Sequence, residues 1–179
     1  AAKLSSIPLC APLAKTPKVA LLGEIFVRSD DFSRQFRVER LAEKGIIARV
    51  APIAEFIYFC DLLIQKSYYH VKSGPVARLI SLVQSMFKRR YERTVKQILA
   101  QSGLCSDHLI RVNDLVQNVE HIISPRYTAG ETTLTVASTI ADLIDEVAGV
   151  ISIGPFGCMP NRVAEAIVAH RLNQEKPKF

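Results

Sequence analysis

Runs of apolar residues and residues spaced at helical period take turns along this chain, and the changeovers mark out most of its elements. "KVALLGE" (residues 18–24) is a continuous apolar stretch closed by glycine and a carboxylate, the pattern of a strand covered on both faces. In "DFSRQFRVERLAEKG" (31–45), Phe32, Phe36, Val38 and Leu41 recur at roughly helical spacing and Gly45 stands where a helix stops. "IIARVAP" (46–52) predicts a second strand. Strand, helix, strand in this order predicts a parallel pair joined by a crossover.

The middle of the chain carries the helical period. Residues 54–71 are rich in Phe, Ile, Leu and Tyr, and "SGP" (73–75) interrupts them. Val76, Leu79, Ile80, Val83, Met86, Phe87, Val95, Ile98 and Leu99 then predict one long amphipathic helix over 76–100, ended by Ser102 and Gly103. A short helix is expected over 114–122. After the Gly130 loop, Leu134, Val136, Ala137, Ile140, Ala141, Leu143 and Ile144 form another helical stripe. "GVISIGP" (149–155) predicts a third strand, and "PNRVAEAIVAHRL" (160–172) a final helix with Pro160 in its first turn. The expected fold is α/β: a small, mostly parallel, Rossmann-like sheet flanked by helices, in one domain over 18–173 with a helical insertion over about 54–122. Residues 1–17, broken by Pro8, Pro12 and Pro17, read as a linker, and 174–179 as a frayed tail. The start at Ala1 without Met suggests a piece of a longer chain.

Composition narrows the class. Hydrophobic residues at 49% and charged residues at 22% fit a soluble globular domain with a core of its own. No apolar run is long enough to span a bilayer, and the early prolines do not suit a signal peptide. A net charge of +6 permits acidic partners without any zinc-finger or aromatic RNA-binding pattern, so neither nucleic acid nor membrane is expected as a partner. Cys10, Cys60, Cys105 and Cys158 lack CxxC spacing, which points to a reducing, cytoplasmic setting and not to a disulfide framework. There is no GxxxxGK[ST] loop and no GxGxxG after the first strand, so ATP hydrolysis by this segment is not expected.

Candidate chemistry collects at the last strand-to-helix turn. Cys158 follows Gly154, Pro155 and Gly157, at the carboxyl end of a strand where parallel sheets gather ligands. A helix N-terminus there favours thiolate over thiol. Three readings stand at this point: a thiolate offered to a metal, cluster iron or electrophile; a small buried filler; or a nucleophile with a histidine base. His70, His108, His121 and His170 are the histidines available, none of them in a recognisable motif. "FKRRYERTVK" (87–96) places Arg89, Arg93 and Lys96 on one helix face, either a solvated face or a strip for docking anions. Tyr58, Tyr68 and Tyr69 read as helix packing, and Met159 as a gap-filler beside the cysteine loop.

Four blocks, "GEIFVRSDDFS" (23–33), "APIAEFIYF" (51–59), "ISPRYTAGETTLTVA" (123–137) and "GVISIGPFGCMPNRVAEAI" (149–167), come in this order. Together the chain resembles the domain shared by the 2-hydroxyacyl-CoA dehydratase component family and the C-terminal part of large CoA-substrate-specific enzyme activases. The resemblance implies an iron–sulfur redox accessory domain of an activator of acyl-CoA dehydratase, with Cys158 as a cluster ligand. It places Glu24, Arg28 and Glu131 along the same crevice as Gly154, Pro155 and Gly157. A [4Fe–4S] cluster usually takes four cysteines, and only Cys158 matches in context, so the cluster would belong to the full-length parent or to a complex. The implied partners are other domains of an ATP-dependent activase and a dehydratase-like protein, with homo-oligomerisation also allowed. The segment itself is not expected to be an independent enzyme. The competing expectation is a non-catalytic interaction or anionic-ligand-binding module without a cluster.

Overall fold

The structure, a computed structural model, describes residues 1–68, 73–128, 130–144 and 147–174. Its elements in chain order are α1 (Ala2–Ser5), β1 (Lys18–Gly23), α2 (Ile25–Ser29), α3 (Arg37–Glu43), β2 (Ile47–Val50), α4 (Ile53–Lys66), α5 (Pro75–Ala100), α6 (Val112–Val119), α7 (Thr132–Ile144), β3 (Gly149–Ile153) and α8 (Met159–Gln174). The fold is α/β, as the alternation of patterns predicts. The sheet has three strands in the order β2-β1-β3, all parallel. A long helical stretch, α4 to α7, separates β2 from β3. Expectations that fall on His70, Tyr69 and the chain beyond Gln174 lie outside the described residues.

β1 is the central strand, and its apolar run is accounted for: Ala20, Leu21 and Leu22 are buried. Its neighbours are edge strands and only half buried. α7 is deeply enclosed over its first two turns. Thr133, Leu134, Val136 and Ala137 are all buried. One core cluster joins α4, α6 and α7 through Tyr58, Phe59, Leu62, Val112, Val116 and Leu134. A second joins α6, α7 and α8 through Val119, Val136, Ala137 and Ala164. Two of the buried threonines on α7 satisfy their hydroxyls within the protein. Thr139 donates to the Thr135 carbonyl at 2.7 Å, and Thr133 pairs with Thr128 at 2.8 Å.

Two local expectations change. The helix expected over 31–45 begins only at Arg37, because Gln35 and Phe36 both take left-handed backbone angles and break the run. Ahead of it, Glu24 starts the five-residue α2 by accepting the Val27 N–H at 2.8 Å. The segment expected to be a linker forms the short α1 and then turns. The long helix α5 forms as its period predicts, but it meets α4 with its polar side. Ser81 is buried, Ser85 donates to Asp61 at 2.8 Å, and Lys88 pairs with the same carboxylate at 2.9 Å.

Candidate functional site

Two neighbouring sites lie at the carboxyl edge of the sheet. The first is built where β1 and β3 end side by side, the point at which the strand order reverses and parallel sheets bind ligands. Gly23 closes β1 at φ +106°, and a Cβ there would lie 2.0 Å from the Ile153 carbonyl oxygen. The next amide, of Glu24, donates to that oxygen at 2.8 Å. Arg28 is thereby folded back under the strand end. It is 2% exposed, and its Nη1 donates to the Gly23 carbonyl at 2.9 Å. Its Nε and Nη2 have no hydrogen-bond partner.

Glu131, in the turn before α7, is buried against the same corner, and one of its carboxylate oxygens has no partner. Burial pushes its pKa up to about 7; the Arg28 charge opposes this and the Glu24 charge adds to it, while the Ile25 N–H hydrogen-bonds the carboxylate. The structure thus brings Glu24, Arg28 and Glu131 together, from segments a hundred residues apart. A fourth member, Glu55 of α4, is buried as well and takes a hydrogen bond from the Ser138 hydroxyl. Burial raises its pKa, against the hydrogen bond from Ser138 and the charges of Arg28 and Arg49.

Cys158 is half buried, one residue before α8. Its N–H donates to the Pro155 carbonyl at 3.2 Å, and its own carbonyl accepts the Arg162 N–H at 3.0 Å. Gly154 makes room for a side chain of this protein: a Cβ there would come 2.8 Å from Asn161 Nδ2. Asn161 is 2% exposed, accepts the Ser152 hydroxyl at 3.1 Å and donates to Glu165 at 2.8 Å. Gly157, at φ +78°, borders open space, and Pro155 is exposed with Phe156 and Met159. Met159 therefore fills no gap.

The donor set for a cluster is incomplete. Cys10 and Cys105 are exposed on other segments, and Cys60 lies on α4. Burial first and the Asp61 charge second push the Cys60 thiol up, away from the thiolate that iron requires. Among the described residues no three His, Cys, Asp or Glu side chains gather to hold a metal ion. These residues do not fit a cluster held by this domain alone.

The second site was not foreseen from sequence. A cavity of about 470 Å³ opens beyond the end of β2, within the usual range for small-molecule pockets. Its polar lining includes Arg49, Glu55, Lys96, His108, Arg111, Asp114 and Ser138, and Val50, Ala51, Ile110, Leu115 and Ala141 form much of its apolar wall. Lys96 bonds Glu92 at 2.8 Å and donates to the His108 carbonyl at 2.7 Å, so its ammonium is held at the rim. Arg111 is mostly exposed, 3.9 Å from Asp114. Three cations thus face two carboxyls, one of which burial drives towards its neutral form. Glu55 is the wall shared with the first site, because the Arg28 charge reaches it from behind.

The three basic residues named on α5 stand in different surroundings. Arg89 stacks over the Tyr58 ring at 4.9 Å and borders a separate cavity of about 240 Å³, Arg93 is exposed, and Lys96 alone reaches the larger cavity. One sequence signal could have pointed to the cavity. Glu55 falls on the helix face that also carries Phe59 and Leu62, and a carboxylate on an apolar stripe is seldom there for packing. No helix among the described residues is long and apolar enough to cross a membrane. Comparison with protein-family models, with curated proteins and with solved structures gives no match.

Proposed function

We propose that this domain is a binding module for a small anionic molecule, held in the cavity beyond β2. The carrying observation is that Arg49, Lys96, Arg111 and His108 converge on one largely apolar cavity above a buried, hydrogen-bonded Glu55. The apolar wall excludes water, which strengthens each charged contact, and the cations select a carboxylate or phosphate ester over a neutral ligand. Glu55 contributes directionally. In its protonated form it donates to the ligand, and in its ionised form it repels it, so binding weakens as pH rises.

Calorimetric titration with citrate and phenyl phosphate, against phenol as the neutral control, tests this. The anions bind and phenol does not. The substitution Arg111→Glu, at an exposed side chain, weakens binding by at least about tenfold, the worth of one charged hydrogen bond. Binding that ignores Arg111→Glu, or equal affinity for phenol, rejects the proposal.

A second reading follows the redox resemblance, and the position of Cys158 supports it. This half-buried thiol stands at the start of a sixteen-residue helix beside exposed Phe156 and Met159, a face on which another chain or domain could bring further cysteines. On that reading the domain is an iron–sulfur accessory domain of an acyl-CoA dehydratase activator in a reducing, cytoplasmic setting, and Cys158 is a single ligand of a shared cluster. Anaerobic reconstitution of the full-length parent with iron and sulfide gives visible cluster absorbance that Cys158→Ala abolishes. A parent that stays colourless removes this reading and leaves the cavity untouched.

A further inference from the structure

α5 is an amphipathic helix mounted with its polar side inward. The side towards α4 is held by side-chain pairs: Lys88 with Asp61, Gln65 with Ser81 and Ser85, and Tyr58 with Glu92. The opposite side carries Val76, Leu79, Ile80, Val83, Met86, Phe87 and Tyr91, all between 44% and 77% exposed. At roughly 100–250 Å² per side chain from valine to tyrosine, these exposures leave on the order of 700 Å² of uncovered apolar surface. Monomers rarely expose a contiguous patch of more than a few hundred Å², whereas one side of a standard interface covers about 800 Å².

We infer that this face pairs with the same face of a second copy, the two α5 helices antiparallel about a two-fold axis near Val83. Area is the first argument: one copy exposes about half of what a stable dimer buries. Charge distribution is the second, and it sets the direction. The outward face is wholly apolar over 76–87, then turns basic with Arg90 and Arg93. In a parallel pair those arginines would stand opposite their own copies, about 8–10 Å apart, with little screening. An antiparallel pair centred on Val83 sets Leu79 against Phe87 and Ile80 against Met86. The two Arg90 side chains are then separated by roughly 20 Å along the axis, at 1.5 Å per residue.

A membrane surface is the less suitable occupant. Interfacial helices flank their apolar face with lysine and arginine along its length. Here Lys88 and Lys96 are tied to Asp61 and Glu92, and Arg89 lies over Tyr58.

The test is sedimentation equilibrium on the intact chain with two exposed-site variants, each checked by circular dichroism for unchanged helix content. Wild type has twice the 19.9 kDa mass of one copy at micromolar concentration. Val83→Glu puts two carboxylates on the axis and weakens the dimer at least about a hundredfold. Val76→Glu, which this register sets opposite Arg90 of the partner, weakens it at least tenfold less. A monomeric wild type overturns the inference, and binding of that monomer to phosphatidylserine vesicles would assign the face to membrane instead. A dimer indifferent to Val83→Glu overturns it in favour of another surface. Equal damage from both variants overturns the antiparallel register.

Discussion

The substitution Glu131→Gln isolates the electrostatic tension at the strand ends. Glu131 has a pKa of about 7 in the folded chain, against an ordinary value of 4.5. The folded state therefore binds a proton that the unfolded chain has already released between these two values. Stability from this group is fully present below the unfolded value and is lost as pH rises through about 7. The full shift corresponds to roughly 3 kcal/mol at 1.36 kcal/mol per unit. Residual solvent screening lowers the expected loss to about 1–3 kcal/mol. Glutamine keeps the shape of the protonated acid and cannot ionise. Glu131→Gln is thus near neutral at pH 4 and stabilising at pH 8, by about 1–3 kcal/mol or roughly 2–10 °C in a chain of this size. Urea unfolding of both proteins at each pH reads this directly. If the variant is less stable than wild type at pH 8, the Glu131 carboxylate is instead a net-favourable partner of Arg28, and the account of the site is wrong. Glu55, whose pKa is also raised by burial, adds a loss of the same sign, and because its charge acts on Glu131 the Gln variant relieves part of that loss as well, in the same direction.

Two further substitutions probe the scaffold that holds the site. Gly23→Ala meets both a left-handed backbone angle and the Ile153 carbonyl at 2.0 Å, and costs more than about 3 kcal/mol; a thermal midpoint within 2–4 °C of wild type, about 1 kcal/mol for this size, would refute the pinched strand ends. Asn161→Ala removes the amide that joins Ser152 to Glu165 and costs about 1–3 kcal/mol, with the loss appearing as faster hydrogen exchange along β3 and the first turns of α8.

The sheet was legible because its signal is local. Burial on both faces demands the unbroken apolar run of β1, and β2 and β3 carry shorter runs bounded by Pro52 and Gly154. The false helix start at 31 has a local cause too, but one that apolar spacing does not encode: left-handed angles at Gln35 and Phe36. For α5 the period was readable and the partner was not. An apolar stripe says that a face wants covering, and this chain covers the other face through Asp61, Gln65 and Tyr58. The first site was partly legible, since Glu24, Arg28 and Glu131 sit near strand ends or helix starts. The cavity was not, because its lining comes from β2, α4, α5, the 101–111 loop, α6 and α7, and only folding brings those segments together.

An anion bound beyond β2 is located by an amide chemical-shift titration with phenyl phosphate. The expected result is saturable shifts at Arg49, Ala51, His108, Arg111 and Ser138, with residues 155–159 unmoved. Shifts confined to residues 155–159, or none at all, would contradict it.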